Sequence, residues 1–205
     1  MKRKILAALG LGLTAALVVP AVAPAGAATR PTLAQILLAD SKFDAKNGFD
    51  ANPNDLDIVT QAVLAFPTLT AAASNPAANL TVFLPTDYAF RKLVRDLTGK
   101  TIYKESEIFA AVVGLGLPTV EKVLTYHILS GARIDYATAL KSDGADLTML
   151  STDTLTVDVR GTFFKRIFLV DKDPDLRDAK VVAANVRASN GIAHVIDRVL
   201  LPFNV

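Results

Sequence analysis

"TVFLPTDYAF", residues 81–90, decides how this chain has to be read. Thr81 to Leu84 is a run of residues at home in a strand. Pro85 ends that strand, because proline offers a sheet no N–H. A helical pattern then starts at once: Phe90, Leu93, Val94 and Leu97 fall at i, i+3, i+4 and i+7, with Arg91, Lys92, Arg95 and Asp96 on the opposite face. Gly99 is the natural stop. Two polar residues, Thr86 and Asp87, stand at the junction. Such junctions hold the reactive groups of many enzymes, yet both residues also have local work. The Thr86 hydroxyl is placed to accept an N–H of the next turn, and Asp87 sets a negative charge at the positive end of the helix. Neither role needs a partner elsewhere, so Asp87 is read as a fastening residue.

Outward from this stretch, the first half of the chain is helical. "PTLAQILLAD" (31–40) predicts a short helix with Thr32 as cap and Leu33, Ile36 and Leu37 on one face. An Asp/Asn-rich loop (41–55) leads to "LDIVTQAVLAF" (56–66), where Val59, Ala62, Val63 and Phe66 share helical spacing. Pro67 closes that stretch, and "AAASNPAAN" (71–79) is expected to be a loop. Residues 105–113 and 118–129 are helical patterns, the second turning extended near Tyr126. From Leu147 the period changes to two. In "TLTVDVR" (154–160) Leu155, Val157 and Val159 alternate with Thr154, Thr156, Asp158 and Arg160, the pattern of a half-buried antiparallel strand. "FFKRIFLVD", "AKVVAANVRAS" and "GIAHVIDRVLLP" continue as strands. Helices followed by strands make an α+β domain.

The first 28 residues belong to another function. Lys2, Arg3 and Lys4 precede an apolar run from Ile5 to Val19, and Ala25-Gly26-Ala27 fits the small-residue cleavage pattern of a secretory signal peptide. Pro20 and Pro24 cut the run short of the roughly 20 residues a spanning helix needs. The expected organisation is therefore a signal peptide over 1–28 and a single domain over 29–205, secreted or held in the cell envelope and not membrane-spanning after cleavage. Removal takes three bases from the 22 Lys+Arg that oppose 20 Asp+Glu, turning the balance of +2 slightly negative. No Lys/Arg stripe remains to read nucleic acid. The chain has no cysteine, so it holds together without disulfides and has neither thiol chemistry nor cysteine metal sites.

Three segments carry a resemblance. "TVFLPTDYAF", "TYHILSG" (125–131) and "NGIAHVIDRVLLP" (190–202) resemble, in order and separation, the successive signatures of the fasciclin domain family, over about residues 32–202. Leu84 stands where the family has a smaller residue, and Ser130 where a proline is common. The resemblance implies a wedge-shaped β-sandwich of about seven strands with helices packed at one side. It also implies a non-catalytic extracellular adhesion or recognition module for cell-surface proteins, matrix proteins or polysaccharides. Thr86, Asp87, His127 and Asp197 are its structural signature residues here. In adhesion relatives a Tyr-His segment is associated with integrin binding, which makes Tyr126 and His127 candidate partner contacts. Flanked by Leu124, Ile128 and Leu129, the pair reads equally as a buried strand. His127 is then structural first, and its ring nitrogens need partners, expected at the Thr86–Asp87 junction.

Chemistry beyond this finds little purchase. His127 and His194 are the only histidines, no G-x-S-x-G elbow accompanies them, and Asp197, three residues past His194, falls on the opposite strand face. No enzyme activity, cofactor or metal is expected. In "DKDPDLRD" (171–178) Asp171, Asp173 and Asp175 alternate like calcium ligands, but Leu176 and Val182 replace the loop's glycine and glutamate. Lys172, Arg177 and Lys180 supply countercharge, so a solvated turn is expected. "DANPND" (50–55) is a similarly incomplete match. Asn79-Leu80-Thr81 fits the glycosylation pattern and is left unassigned. The alternatives to adhesion are a small-molecule or lipid carrier, which needs an enclosed apolar cavity above about 300 Å³, and a hydrolase. N-terminal sequencing of the exported protein should find a start close to Ala28 or Thr29. An intact Met1 in a membrane fraction would replace the signal peptide by an anchor.

Overall fold

The computed structural model describes residues 30–40 and 48–205. The expected signal peptide lies outside them, as do residues 41–47 of the Asp/Asn-rich loop. Three short helices come first: α1 (Leu33–Asp40), α2 (Asp57–Leu64) and α3 (Pro67–Ser74). Thr32 and Gln35 cap α1 reciprocally: the Gln35 N–H donates to Thr32 Oγ1 at 3.3 Å and the Thr32 N–H to Gln35 Oε1 at 2.9 Å. Helix α3 corrects the sequence reading, which made residues 71–79 a loop. Pro67 does close α2, but it also occupies the first turn of α3, where its missing N–H costs nothing, and Leu69 is buried.

Strand β1 (Leu80–Pro85) runs directly into α4 (Asp87–Thr98), which Gly99 ends in the left-handed conformation at φ 70°. Helices α5 (Glu105–Val113) and α6 (Leu117–Tyr126) follow, then β2 (Ile128–Ser130) and the single turn α7 (Tyr136–Ala139). The sequence pattern did not show α7, a turn too short for a period. Asp135 caps it by accepting the Thr138 N–H at 2.8 Å. Strands β3 (Asp146–Thr148), β4 (Thr154–Arg160), β5 (Arg166–Val170), β6 (Ala179–Arg187) and β7 (Gly191–Ile196) complete the chain. The expected strand from 191 to 202 stops at Ile196, and the residues beyond it lie across the core.

The α+β class and the seven strands stand as expected. The strands form one curled sheet in the order β2-β1-β7-β6-β5-β4-β3. All neighbours are antiparallel except β1 and β7, which run parallel from Leu80–Gly191 to Pro85–Ile196. Register shifts between Val181 and Val186 bend β6, so it reaches β7 along much of its length and β5 only at Lys180 and Ala179. Two cores result. One packs α1–α6 on Leu80, Leu84, Ala193 and Leu201. The other fills the curl of the sheet with Phe83, Tyr126, Leu129, Leu155, Val157, Ile167, Leu169, Ile196 and Leu200. Strand β1 is buried on both faces, which is why its sequence runs apolar without alternating. Among the described residues no single helix is long and apolar enough to cross a membrane.

The parallel pair is closed by two residues. Asn190 is fully buried, accepts the Leu33 N–H at 2.9 Å and donates to the Ala73 and Asn75 carbonyls at 2.8 and 3.0 Å. It thereby ties α1 and the end of α3 to the start of β7. At Gly191 a Cβ would stand 2.6 Å from the Leu80 carbonyl oxygen, so any side chain would push β1 and β7 apart. Gly191→Ala should lower stability by more than about 2 kcal/mol in urea denaturation. Gly99→Ala, strained only by its φ and open to solvent, should cost about 1 kcal/mol. Equal costs would show that the strand contact is slack.

Candidate functional site

The signature residues all meet backbone. Thr86 Oγ1 accepts the Ala89 N–H at 3.3 Å, capping α4. Asp87, with no exposed surface, reaches further than its own helix: Oδ1 accepts the Ile58 N–H at 2.9 Å, capping α2, whose own N-cap position is Leu56. Its N–H donates to the Asp55 carbonyl and that of Tyr88 to the Pro53 carbonyl. Asp87 therefore fastens two helices and a loop, where the sequence promised one helix. Burial, with Asp55 alongside, pushes its carboxyl up to about 9.

Tyr126 and His127 form the end of α6 and not a strand, and both are buried. The Tyr126 hydroxyl donates to the Thr154 carbonyl at 2.8 Å. His127 Nε2 accepts the Leu200 N–H at 3.0 Å, which leaves the proton on Nδ1 to bond the Val123 carbonyl at 2.7 Å. The Thr86–Asp87 junction does not supply these partners, contrary to expectation. The ring folds back onto a carbonyl that the end of α6 leaves free, and the segment after β7 passes over its other side. Neither side chain presents a surface to a partner. His194 is likewise buried, with Nε2 on the Ile134 carbonyl at 2.8 Å. Asp197 lies apart from it, accepting the Lys180 N–H at 2.8 Å and facing Lys92 Nζ at 3.8 Å. Both imidazoles are held by backbone groups.

The loop at 171–178 is not the solvated turn expected. Asp171 accepts the N–H groups of Asp173 and Leu201, and Asp173, itself buried, those of Asp175, Leu176 and Val205. These carboxylate oxygens act as a clasp on the C-terminal segment.

The exposed chemistry lies beside this clasp. A groove of about 900 Å³ runs between α4, the β4–β5 hairpin, the 171–178 loop and the segment after β7. Lys92, Arg95, Arg160, Arg166, Lys172, Arg177, Lys180 and Arg198 line it, against Asp171, Asp173, Asp178 and Asp197. Arg160 is held by Asp158 at 2.6 Å and by Asp178, with Phe168 beneath its guanidinium. Arg95 and Arg198 share Asp96. Among the described residues Arg166, Lys172, Arg177 and Lys180 have no carboxylate within ion-pair distance, and Lys172 donates to the Thr154 hydroxyl instead. Burial holds Lys92 below the ordinary lysine value, and repulsion from Arg198, Lys180 and Arg95 adds to it. The turn of the β4–β5 hairpin carries Phe163 and Phe164, 92% and 85% exposed, which line a neighbouring hollow that shares Arg166 and Lys180 with the groove. Sequence reading missed the groove because its bases, spread from 92 to 198, share no period; folding assembles them. The adjacent Phe163-Phe164 pair was a visible signal, read as strand.

The model of the fasciclin domain matches residues 55–202, most of the chain. The chain belongs to the fasciclin domain family. Two proteins of Synechocystis sp. are similar to this fasciclin domain. Protein sll1483 is 29% identical over 182 residues, covering 84% of this chain and 88% of its own. Uncharacterized protein sll1735 is 31% identical over 152 residues, covering 66% and 89%. Among solved structures, a FAS1 domain pair from the insect cell adhesion molecule Fasciclin I is 18% identical with a TM-score of 0.48, covering 70% of this chain and 43% of that one. The chain thus spans less than half the length of that domain pair.

Within the fasciclin domain His127 stays neutral. Burial lowers its pKa from 6.5 to about 4, while the bond to Val123 acts the other way. The unfolded chain takes up a proton at the ordinary value and the folded chain does not, so this group withdraws stability as pH falls from about 6.5 towards 4. His127→Ala should cost roughly 2–4 kcal/mol at neutral pH. The gap to wild type should narrow below pH 6.5 by up to about 1.4 kcal/mol per pH unit. Urea denaturation followed by circular dichroism from pH 4.5 to 7.5 measures both; a pH-independent gap would assign the loss to packing alone.

Proposed function

We propose that this adhesion-type domain is an exported, non-catalytic module that holds acidic polysaccharide at the cell envelope or matrix through its basic groove. The observation that carries this is the groove's eight cationic side chains, four of them without an acidic partner among the described residues. Uronate or sulfate groups spaced along a glycan meet such a surface as multiple charge-assisted hydrogen bonds, and arginine favours them by its planar fork. Phe163 and Phe164 extend the same edge with aromatic surface, of the kind enriched where proteins bind. The family supports the reading, since fasciclin domains are generally non-catalytic adhesion modules, typically of secreted or cell-surface proteins. A carrier role draws no support from the apolar cavities among the described residues, which measure about 120, 40 and 10 Å³, well short of a ligand's volume.

Purified protein should be retained on immobilised alginate or polygalacturonate at low salt and released as ionic strength shortens the reach of charge. Neutral dextran should not retain it. Replacing Arg166, Arg177 and Lys180 together by glutamate should weaken retention at least about tenfold, each tenfold loss being worth 1.4 kcal/mol. Phe163→Ser with Phe164→Ser should weaken it while leaving unfolding within about 0.5 kcal/mol of wild type, because neither ring packs on the core. Equal retention on dextran, or by the triple variant, would overturn the groove as the binding surface.

A further inference from the structure

Away from the groove, three helices begin at the same place, and each begins with a carboxylate. Asp57 opens α2, Asp87 opens α4 and Glu105 opens α5. All three are at most 2% exposed, and Asp55, just before α2, is 8% exposed. Oxygens of Asp55, Asp87 and Glu105 lie within 4.8 Å of one another, and so do oxygens of Asp50, Asp57 and Glu105, with Glu105 common to both sets.

Burial of four acidic side chains together has to be accounted for. Two of them spend part of their capacity on structure: Asp87 Oδ1 on the Ile58 N–H and Asp57 Oδ2 on the Asp50 N–H, both at 2.9 Å. What remains is an inward set of five buried oxygens, Asp55 Oδ1, Asp57 Oδ1, Asp87 Oδ2 and both of Glu105, none with an N–H or hydroxyl donor in hydrogen-bond geometry, the Asp55 and Asp87 carboxyls standing close enough to share a proton. Glu105 is the most telling, because a fully buried side chain with two unpartnered oxygens serves no capping role. Among the described residues no Lys, Arg or His lies within ion-pair distance of any of the four. The positive ends of three helices supply together about one and a half charges, which falls short of four carboxylates.

We infer that Asp55, Asp57, Asp87 and Glu105, with Asp50 at the open side, form a calcium-class divalent cation site that joins the N-termini of α2, α4 and α5. The donors are all hard oxygens, which select calcium, magnesium or manganese over zinc or copper. Calcium takes six to eight oxygens at 2.3–2.6 Å, so opposite ligands stand up to about 5 Å apart, the spread found here. Magnesium keeps most of its waters, and a pocket this closed favours the ion that sheds them. Lacking a cation, the cluster has protons as its other resort, and burial pushes Glu105 up to about 7 and Asp57 up to about 6. The sequence reading expected no metal because the 50–55 segment lacks a calcium loop's later ligands. Those ligands come instead from α4 and α5, which no local pattern can show. The site is independent of the basic groove and of any glycan bound there.

Chelator-treated protein titrated with calcium by calorimetry should show one saturable site per chain, and 1 mM calcium should raise the melting midpoint by at least about 5 °C. Glu105→Gln keeps the side-chain volume and should lose most of the heat and of the thermal shift, while its far-ultraviolet circular dichroism stays that of wild type. Asp55→Asn provides a second variant from the loop side and should behave alike. Asp175→Asn, in the other Asp-rich loop, should retain both responses. Calcium, magnesium and manganese all without heat or thermal shift on folded protein would overturn the site. So would a calcium response kept by both Glu105→Gln and Asp55→Asn, and so would a Glu105→Gln variant more stable than wild type in either chelator or calcium, the mark of a proton-sharing carboxyl cluster.

Discussion

Everything else in this molecule hangs on the parallel pairing of β1 with β7. Among the described residues it is the one parallel contact in the sheet, and it lies where both cores meet. From one face of β1, Val82 and Leu84 point at the helices; from the other, Phe83 points into the curl of the sheet. A strand covered on both sides has no solvent face on which to place polar residues, and the exception obeys the rule. Thr81 is buried, and its hydroxyl both donates to the Ala132 carbonyl and accepts the Ile134 N–H. The helices have a floor to pack on because β1 and β7 lie side by side, and they lie so close because residue 191 has no side chain.

Much of this could be read before the fold was known, and the reasons differ by element. The strand, proline, threonine and amphipathic helix of residues 81–98 are local in cause, so their pattern carries them. Residues 154–160 alternate because one face is wet. Helix α3 escaped because Pro67 was taken as an end when it is also a beginning, and α7 is a single turn. The partners of His127 escaped for another reason. Both come from backbone, one from the same helix and one from the segment after β7, and backbone groups leave no signature in a sequence. The same holds for Asp87, whose capping of α2 joins residues 29 apart.

Polar side chains inside the domain fall into two kinds. Asn190, Thr81, His127 and Asp173 are saturated by backbone groups, and each locks a passing segment to the core. The carboxylates at the three helix starts are not saturated. That contrast separates polar residues that complete the fold from those with bonding capacity left over. Outside, the division is by charge. The protein is close to neutral overall, yet eight of its 22 Lys and Arg side chains line one groove and outnumber the four Asp there, so a weak net charge coexists with a local basic surface.

The pairing of Leu80 with Gly191 also sets an order of events in time. More than half of the 205-residue chain separates these partners. Contacts so distant in sequence are slow to form, since a long loop must close before any of them is made. A ribosome releases β1 long before β7, and although β2 can cover one edge of β1 sooner, the edge that β7 takes stays bare until then. The half-made chain is therefore a natural client for holding chaperones. Residues 197–205, which thread past His127, Asp171 and Asp173, fall into place only after β7 is made.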